Sequence, residues 1–195
     1  MVIAGIDYGA QIAGTTCIAI KTVNSFEVVI YSSQKGKSAD SFLEKCILEY
    51  CPKIIGIDAP LSLPLFFFNP DQYPDNVFRK CDRELSAMSP MFLGGLTSRA
   101  IKFQYEIQKQ LDVECIEVYP KALSSLIGLE NYGYKKELKN ITICFEKLYS
   151  MYPLLLKQEL RTWHEFDAIL ALVISEKYFR NNALKSGNEE GFIYY

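Results

Sequence analysis

The chain has 195 residues, 49% hydrophobic and 23% charged, a composition that supports one buried core and excludes fibrous and disordered classes. Its 21 basic residues stand against 23 acidic ones, which excludes a global positive field of the kind that draws proteins onto nucleic acid. The opening MVIAGIDYG is too short an apolar stretch for a signal peptide and lacks its basic lead-in, the LPLFFF run is too short to cross a bilayer, and the six cysteines form no C-x-x-C pair. A single cytoplasmic domain over residues 1–195 is therefore expected, with reduced thiols and no membrane partner.

In chain order, Val2 to Ile6, Thr15 to Ile20 and Phe26 to Tyr31 read as three β-rich runs, the last two separated by the turn residues Asn24 and Ser25. Ser38 is placed to cap a helix carrying Phe42, Leu43, Cys46, Ile47 and Tyr50 at helical spacing, and Ile54 to Ile57 follows as a buried strand. Five of the eight prolines fall between Asp58 and Gly95, which predicts an irregular insertion or lid over about residues 59–95, with a short helix around Val77 to Ser86. Thr97 or Ser98 is the expected cap of a helix to about Leu111. Glu114 to Val118 reads as a strand, and Pro120 suits a helix's first turn. Helices are expected over Lys135 to Tyr149 and Trp163 to Arg180, then a polar turn at Ser186 to Glu190 and a closing FIYY. An opening three-stranded meander followed by strands alternating with helices is an α/β order with parallel strands, the order of a ribonuclease H-like core with a mixed central sheet and flanking helices.

Two strands end in the same tripeptide, Gly5-Ile6-Asp7 and Gly56-Ile57-Asp58, so both aspartates fall at strand C-terminal ends, where open α/β sheets bind ligands. Glu117 is a third acid near the end of a strand. Asp167 is a fourth, on a helix where it shares a face with His164, Ala168 and Ala171. Carboxylates gathered from separate elements repel one another unless cations neutralise them. Two Mg²⁺ or Mn²⁺ ions held by Asp7, Asp58, Glu117 and Asp167 are the expected device, with one generating hydroxide and the other stabilising the leaving oxygen of a phosphodiester. Taken singly, a strand-end aspartate also serves as a turn former, Asp167 as a complement to the helix dipole, Glu117 as an ion-pair partner and His164 as a packing residue. Arg79, Asp82 and Arg83 share a helical face, where the arginines either hold a phosphate or form an intrahelical ion-pair set. Gly94-Gly95 ahead of Thr97, Ser98 and Arg99 either presents a helix N-terminus to an anion or is an ordinary capped turn.

The GID start, GIDAPLSLP, FRKCDREL, IEVYP, HEFDAILALV and EGFIYY together resemble domain-of-unknown-function family 429, described as predicted nucleases of ribonuclease H-like fold. The first strand and the H-x-x-D-A helix also resemble RuvC-type Holliday junction resolvases. That resemblance implies Asp7, His164 and Asp167 as metal-site positions, with Asp58 in place of the resolvases' strand-end glutamate and Glu117 outside the pattern. The resulting expectation is a metal-dependent nuclease acting on a nucleic acid or nucleotide. Two alternatives stand beside it. One is an actin- or sugar-kinase-like ATP-binding protein, because Asp7-Tyr8-Gly9 with Gly14-Thr15-Thr16 resembles a first phosphate loop; the other is a non-catalytic binding protein that kept the fold.

Overall fold

The computed structural model describes all residues from Met1 to Tyr195. Its strands are β1 (Val2–Asp7), β2 (Cys17–Thr22), β3 (Glu27–Ser32), β4 (Ile54–Asp58), β5 (Glu114–Glu117) and β6 (Leu155–Leu156). They form one mixed sheet in the order β5-β4-β1-β2-β3-β6. β1, β2 and β3 make an antiparallel meander, β4 and β5 run parallel to β1, and the short β6 pairs parallel with β3. Parallel neighbours need a crossover, and α1 (Ala39–Tyr50) and α4 (Gly95–Gln110) provide it before β4 and β5.

Strand alternation sorts the core into two layers. On one face Ala4, Ile6, Ile18, Ile20, Ile55 and Ile57 pack against Leu43 and Ile47 of α1 and Ala100, Phe103 and Ile107 of α4. On the other, Ile3, Ala19, Val28 and Ile116 meet α7 (Trp163–Phe179), with α5 (Pro120–Leu126) and α6 (Ile141–Met151) outside it. α7 is buried without a break from Glu165 to Ser175, as befits a helix that is apolar on most of its circumference. Its backbone lies directly on the sheet. A Cβ added to Gly5 would sit 2.0 Å from the Leu172 nitrogen, and one on Gly56, the register partner of Gly5, would sit 2.3 Å from Ser175 Oγ. The repeated glycine ahead of each strand-end aspartate is thus the space into which α7 docks.

Residues 59–95 hold a 3-10 turn and the short helices α2 (Lys80–Leu85) and α3 (Pro90–Leu93), and α2 packs against a C-terminal hairpin of β7 (Lys185–Asn188) and β8 (Gly191–Tyr194). Several elements differ from the sequence expectation, among them β7, which takes up Ser186 to Asn188 of the expected polar turn. α4 starts at Gly95, and Thr97 is a buried residue whose hydroxyl donates to the Pro90 carbonyl rather than a cap. α6 begins at Ile141 instead of Lys135, because Gly133 (φ 77°) and Lys135 (φ 56°) are left-handed and a 3-10 turn intervenes. β6 was hidden in a stretch with no strand pattern. No helix is long and apolar enough to cross a membrane. All six cysteines are free; five are buried and Cys51 is exposed.

Candidate active site at the sheet edge

Asp7 and Asp58 are register partners at the C-terminal ends of the parallel neighbours β1 and β4, on the face covered by α7. Strands so paired lie about 4.8 Å apart, which makes the two carboxylates side-by-side neighbours. α7 enters over this edge. Its start is fixed by a capping box in which the Thr162 hydroxyl accepts from the Glu165 nitrogen and the Glu165 carboxylate accepts from the Thr162 nitrogen. That cap places His164 and Asp167 in the first turns, above the strand ends. His164 Nδ1 lies 2.8 Å from Asp7 Oδ2, leaving Nε2 on a ring that is 47% exposed.

The oxygens of the three aspartates are unequally served. Asp167, almost fully buried, accepts a 2.5 Å hydrogen bond from the Tyr134 hydroxyl on one oxygen and a 2.5 Å ion pair from Lys135 Nζ on the other. Asp7 has His164 on one oxygen. Asp58 has no hydrogen-bond or ion-pair partner in the protein; what acts on it is burial and the charges around it. Burial, reinforced by the Asp7 and Asp167 charges, raises the Asp58 carboxyl well above the usual carboxylate range. Burial also pushes Asp167 up to about 6, against the pull of Lys135. The hydrogen bond that His164 donates to Asp7 raises the imidazole above its ordinary value, and burial opposes it. Cys17, the register partner of Asp7 on β2, is pushed up to about 12 by burial and stays a thiol.

The remaining expected site residues lie elsewhere. Glu117 is paired in register with Ile57, which puts its side chain on the α4 face of the sheet, away from the α7 face that carries Asp7 and Asp58. There the buried Arg79 grips both its oxygens at 2.7 Å, and the Leu61 nitrogen donates to one of them. Arg79 is fully buried, bonded also to Asp82 and Ser62, so it holds protein carboxylates rather than a phosphate. Arg83 is exposed, paired with Asp75 and stacked on Phe78. Ser98 is exposed and lines a hollow with Leu63, Pro90 and Ile101. Arg99 lies over the Tyr8 ring at 4.4 Å and bonds the Gly9 carbonyl and Asp40, bracing the loop that leaves Asp7.

Tyr134 and Lys135 are the site residues that sequence reasoning missed. The NYGYKK stretch signals only a turn, and nothing in its spacing ties it to a helix 33 residues on. The T-x-x-E box at Thr162 to Glu165, by contrast, was readable as the start of α7.

A hard divalent cation suits this donor set in kind, since all three aspartates offer oxygen. In arrangement, no three His, Cys, Asp or Glu side chains converge to hold one ion. Tyr134 and Lys135 take Asp167, and Asp7 and Asp58 alone keep open oxygens for a cation. Neither a protein-family model nor a curated protein matches the chain.

Proposed function

We propose that this chain is a divalent-cation-dependent phosphodiester hydrolase, a nuclease, built on a ribonuclease H-like core. The observation that carries the reading is Asp58, a carboxylate without a protein donor beside its register partner Asp7 at the C-terminal ends of the parallel strands β1 and β4, with the Asp167 charge acting on it. A strand order with the antiparallel meander on one side of β1 and the parallel β4 and β5 on the other supports the core assignment. The absence of a global basic surface favours a small or single-stranded substrate over tight duplex binding.

A divalent cation at Asp7 and Asp58 would supply positive charge against the phosphate oxygens as negative charge develops there. The chain's own residues account for the rest. Asp7 fixes the His164 ring through Nδ1, leaving Nε2 to take the proton from an attacking water. The water oxygen bonds to phosphorus, the bond to the leaving sugar oxygen breaks, and that oxygen collects a proton from solvent. Because Nε2 must be unprotonated to accept, the rate should climb as pH rises through a value above the ordinary 6.5 of histidine. His164→Ala should lower the rate by about 10²-fold and flatten that climb.

The test is cleavage of single-stranded, duplex, hybrid and branched nucleic acids with Mg²⁺ or Mn²⁺. Cation-dependent cleavage of at least one substrate, reduced about 10³-fold or more by Asp7→Asn or Asp58→Asn, is expected. No cleavage of any substrate, or cleavage indifferent to both substitutions, would overturn the assignment.

A further inference from the structure

We infer that the cavity at the far end of α7 is a binding site for a small organic anion, a carboxylate with an apolar body, separate from the aspartate edge and independent of the hydrolase reading.

The cavity, of about 590 Å³, lies between the β2–β3 turn, the chain running from α6 into β6, and the last turns of α7. Its volume is in the range of pockets that take a small molecule. Its chemistry starts on β2, where Cys17, Ala19 and Lys21 alternate onto the face covered by α7, so that a lysine occupies a core position. The Lys21 side chain is 4% exposed. An ammonium carries three protons, and Lys21 Nζ donates one to Glu176 Oε2 at 2.6 Å; the other two meet no protein acceptor. Buried donors left in this way are costly to the fold, and an anionic oxygen in the cavity would relieve them.

The charges around the cavity are unbalanced in the same sense. Lys21, Lys177 and Arg180 line it against the single carboxylate of Glu176. Glu176 is fully engaged: Lys21 holds Oε2, and Arg180 holds Oε1 through Nε at 3.2 Å and Nη2 at 2.9 Å. Lys177 is half-buried, has no ion-pair or hydrogen-bond partner, and is drawn below the ordinary lysine value by burial alone. A lysine in the last turn complements the helix dipole, which accounts for Lys177 but not for Lys21, a strand residue. The remaining walls are apolar, with Val23, Leu154 and Val173 buried and Phe26 and Met151 exposed, so the body of the ligand has hydrocarbon to rest on. The helices that reach the cavity, α6 and α7, both do so by their C-terminal ends, and the Arg180 fork is already taken. Two lysines acting as point charges, without a helix N-terminus or a free guanidinium, suit a carboxylate better than a phosphate.

The experiment is calorimetric titration of the full chain with naphthoate, with naphthylmethanol as its uncharged counterpart and naphthyl phosphate as the competing anion. Saturable binding of naphthoate, about tenfold or more tighter than of either counterpart, is the expected result. Lys177→Gln and Lys21→Gln should each weaken it by about tenfold, and Lys177→Arg should retain it; thermal melts confirm that the variants fold. Naphthoate that does not bind, that binds no better than naphthylmethanol, or that binds both glutamine variants as tightly as the wild type overturns the inference. Tighter binding of naphthyl phosphate overturns the choice of a carboxylate. None of these outcomes alters what is expected of cleavage at the aspartate edge.

Discussion

Asp58 is the residue whose behaviour most sharply separates a functional site from a structural one. A desolvated carboxylate without a donor is a cost to the fold, and replacing it with a neutral isostere removes that cost. Asp58→Asn should make the cation-free protein about 1–2 kcal/mol more stable at pH 7 while abolishing cleavage, a pairing that denaturant melts and the nuclease assay together detect. An Asp58→Asn variant less stable than wild type would place the residue among ordinary structural caps. The pH dependence follows the same logic. Asp167 is raised to about 6 and Asp58 is raised well above its ordinary range, so both bind protons more tightly folded than unfolded. The Asp167 contribution is fully present below about pH 4 and lost as pH rises through about 6, and Asp58 and His164, also raised, each add a loss of the same sign as pH rises. In chelator the melting temperature should therefore fall between pH 5 and pH 8; Asp58→Asn should flatten the slope. Tyr134→Phe leaves one Asp167 oxygen without its donor and should cost about 1.5–3 kcal/mol, measured by urea unfolding.

At the scale of elements, the site exists because α7 lies backbone to backbone on β1 and β4. Gly5→Ala would drive a methyl to 2.0–2.5 Å from main-chain atoms of Ala171 and Leu172, which cannot yield as a flexible side chain would. The expected loss is about 3 kcal/mol or more, with α7 shifted and Asp167 carried off the strand ends. A Gly5→Ala protein of wild-type stability would show that the helix is less tightly seated than described. Much of this was legible in the chain: the two G-I-D strand ends, and the helix face shared by His164, Asp167 and Ala171, point to one edge. Glu117 was not. β5 is buried on both faces, so Cys115-Ile116-Glu117-Val118 shows no apolar alternation to reveal which way the acid points, and only register with Ile57 decides it. The Lys135 turn was also illegible, since its residues suit the helical pattern that α6 takes up six residues later; left-handed backbone at Gly133 and Lys135 is a tertiary outcome.

Over the whole molecule, charge is used for two separate purposes. Arg79, clamped between Asp82 and Glu117, joins the 59–95 insertion to β5, and Glu190 accepts from the Leu65 and Lys80 nitrogens to fasten the C-terminal hairpin onto the same insertion. Arg79→Met would strand Glu117 as a buried, uncompensated carboxylate and should cost about 3–5 kcal/mol, seen as faster proteolysis within residues 59–95. At the opposite sheet face, Asp7 and Asp58 are left incompletely neutralised, the feature on which the proposed cation dependence rests. A cavity of about 590 Å³ at the far end of α7, lined by Lys21, Phe26, Tyr152 and Lys177, is remote from these acids and plays no part in the chemistry proposed. The most direct test is a crystal of the wild-type protein soaked in Mn²⁺ and measured for anomalous scattering. One peak within coordination distance of both the Asp7 and Asp58 carboxylates, with Lys135 still on Asp167, is the predicted result; the absence of any peak at that edge would contradict the account.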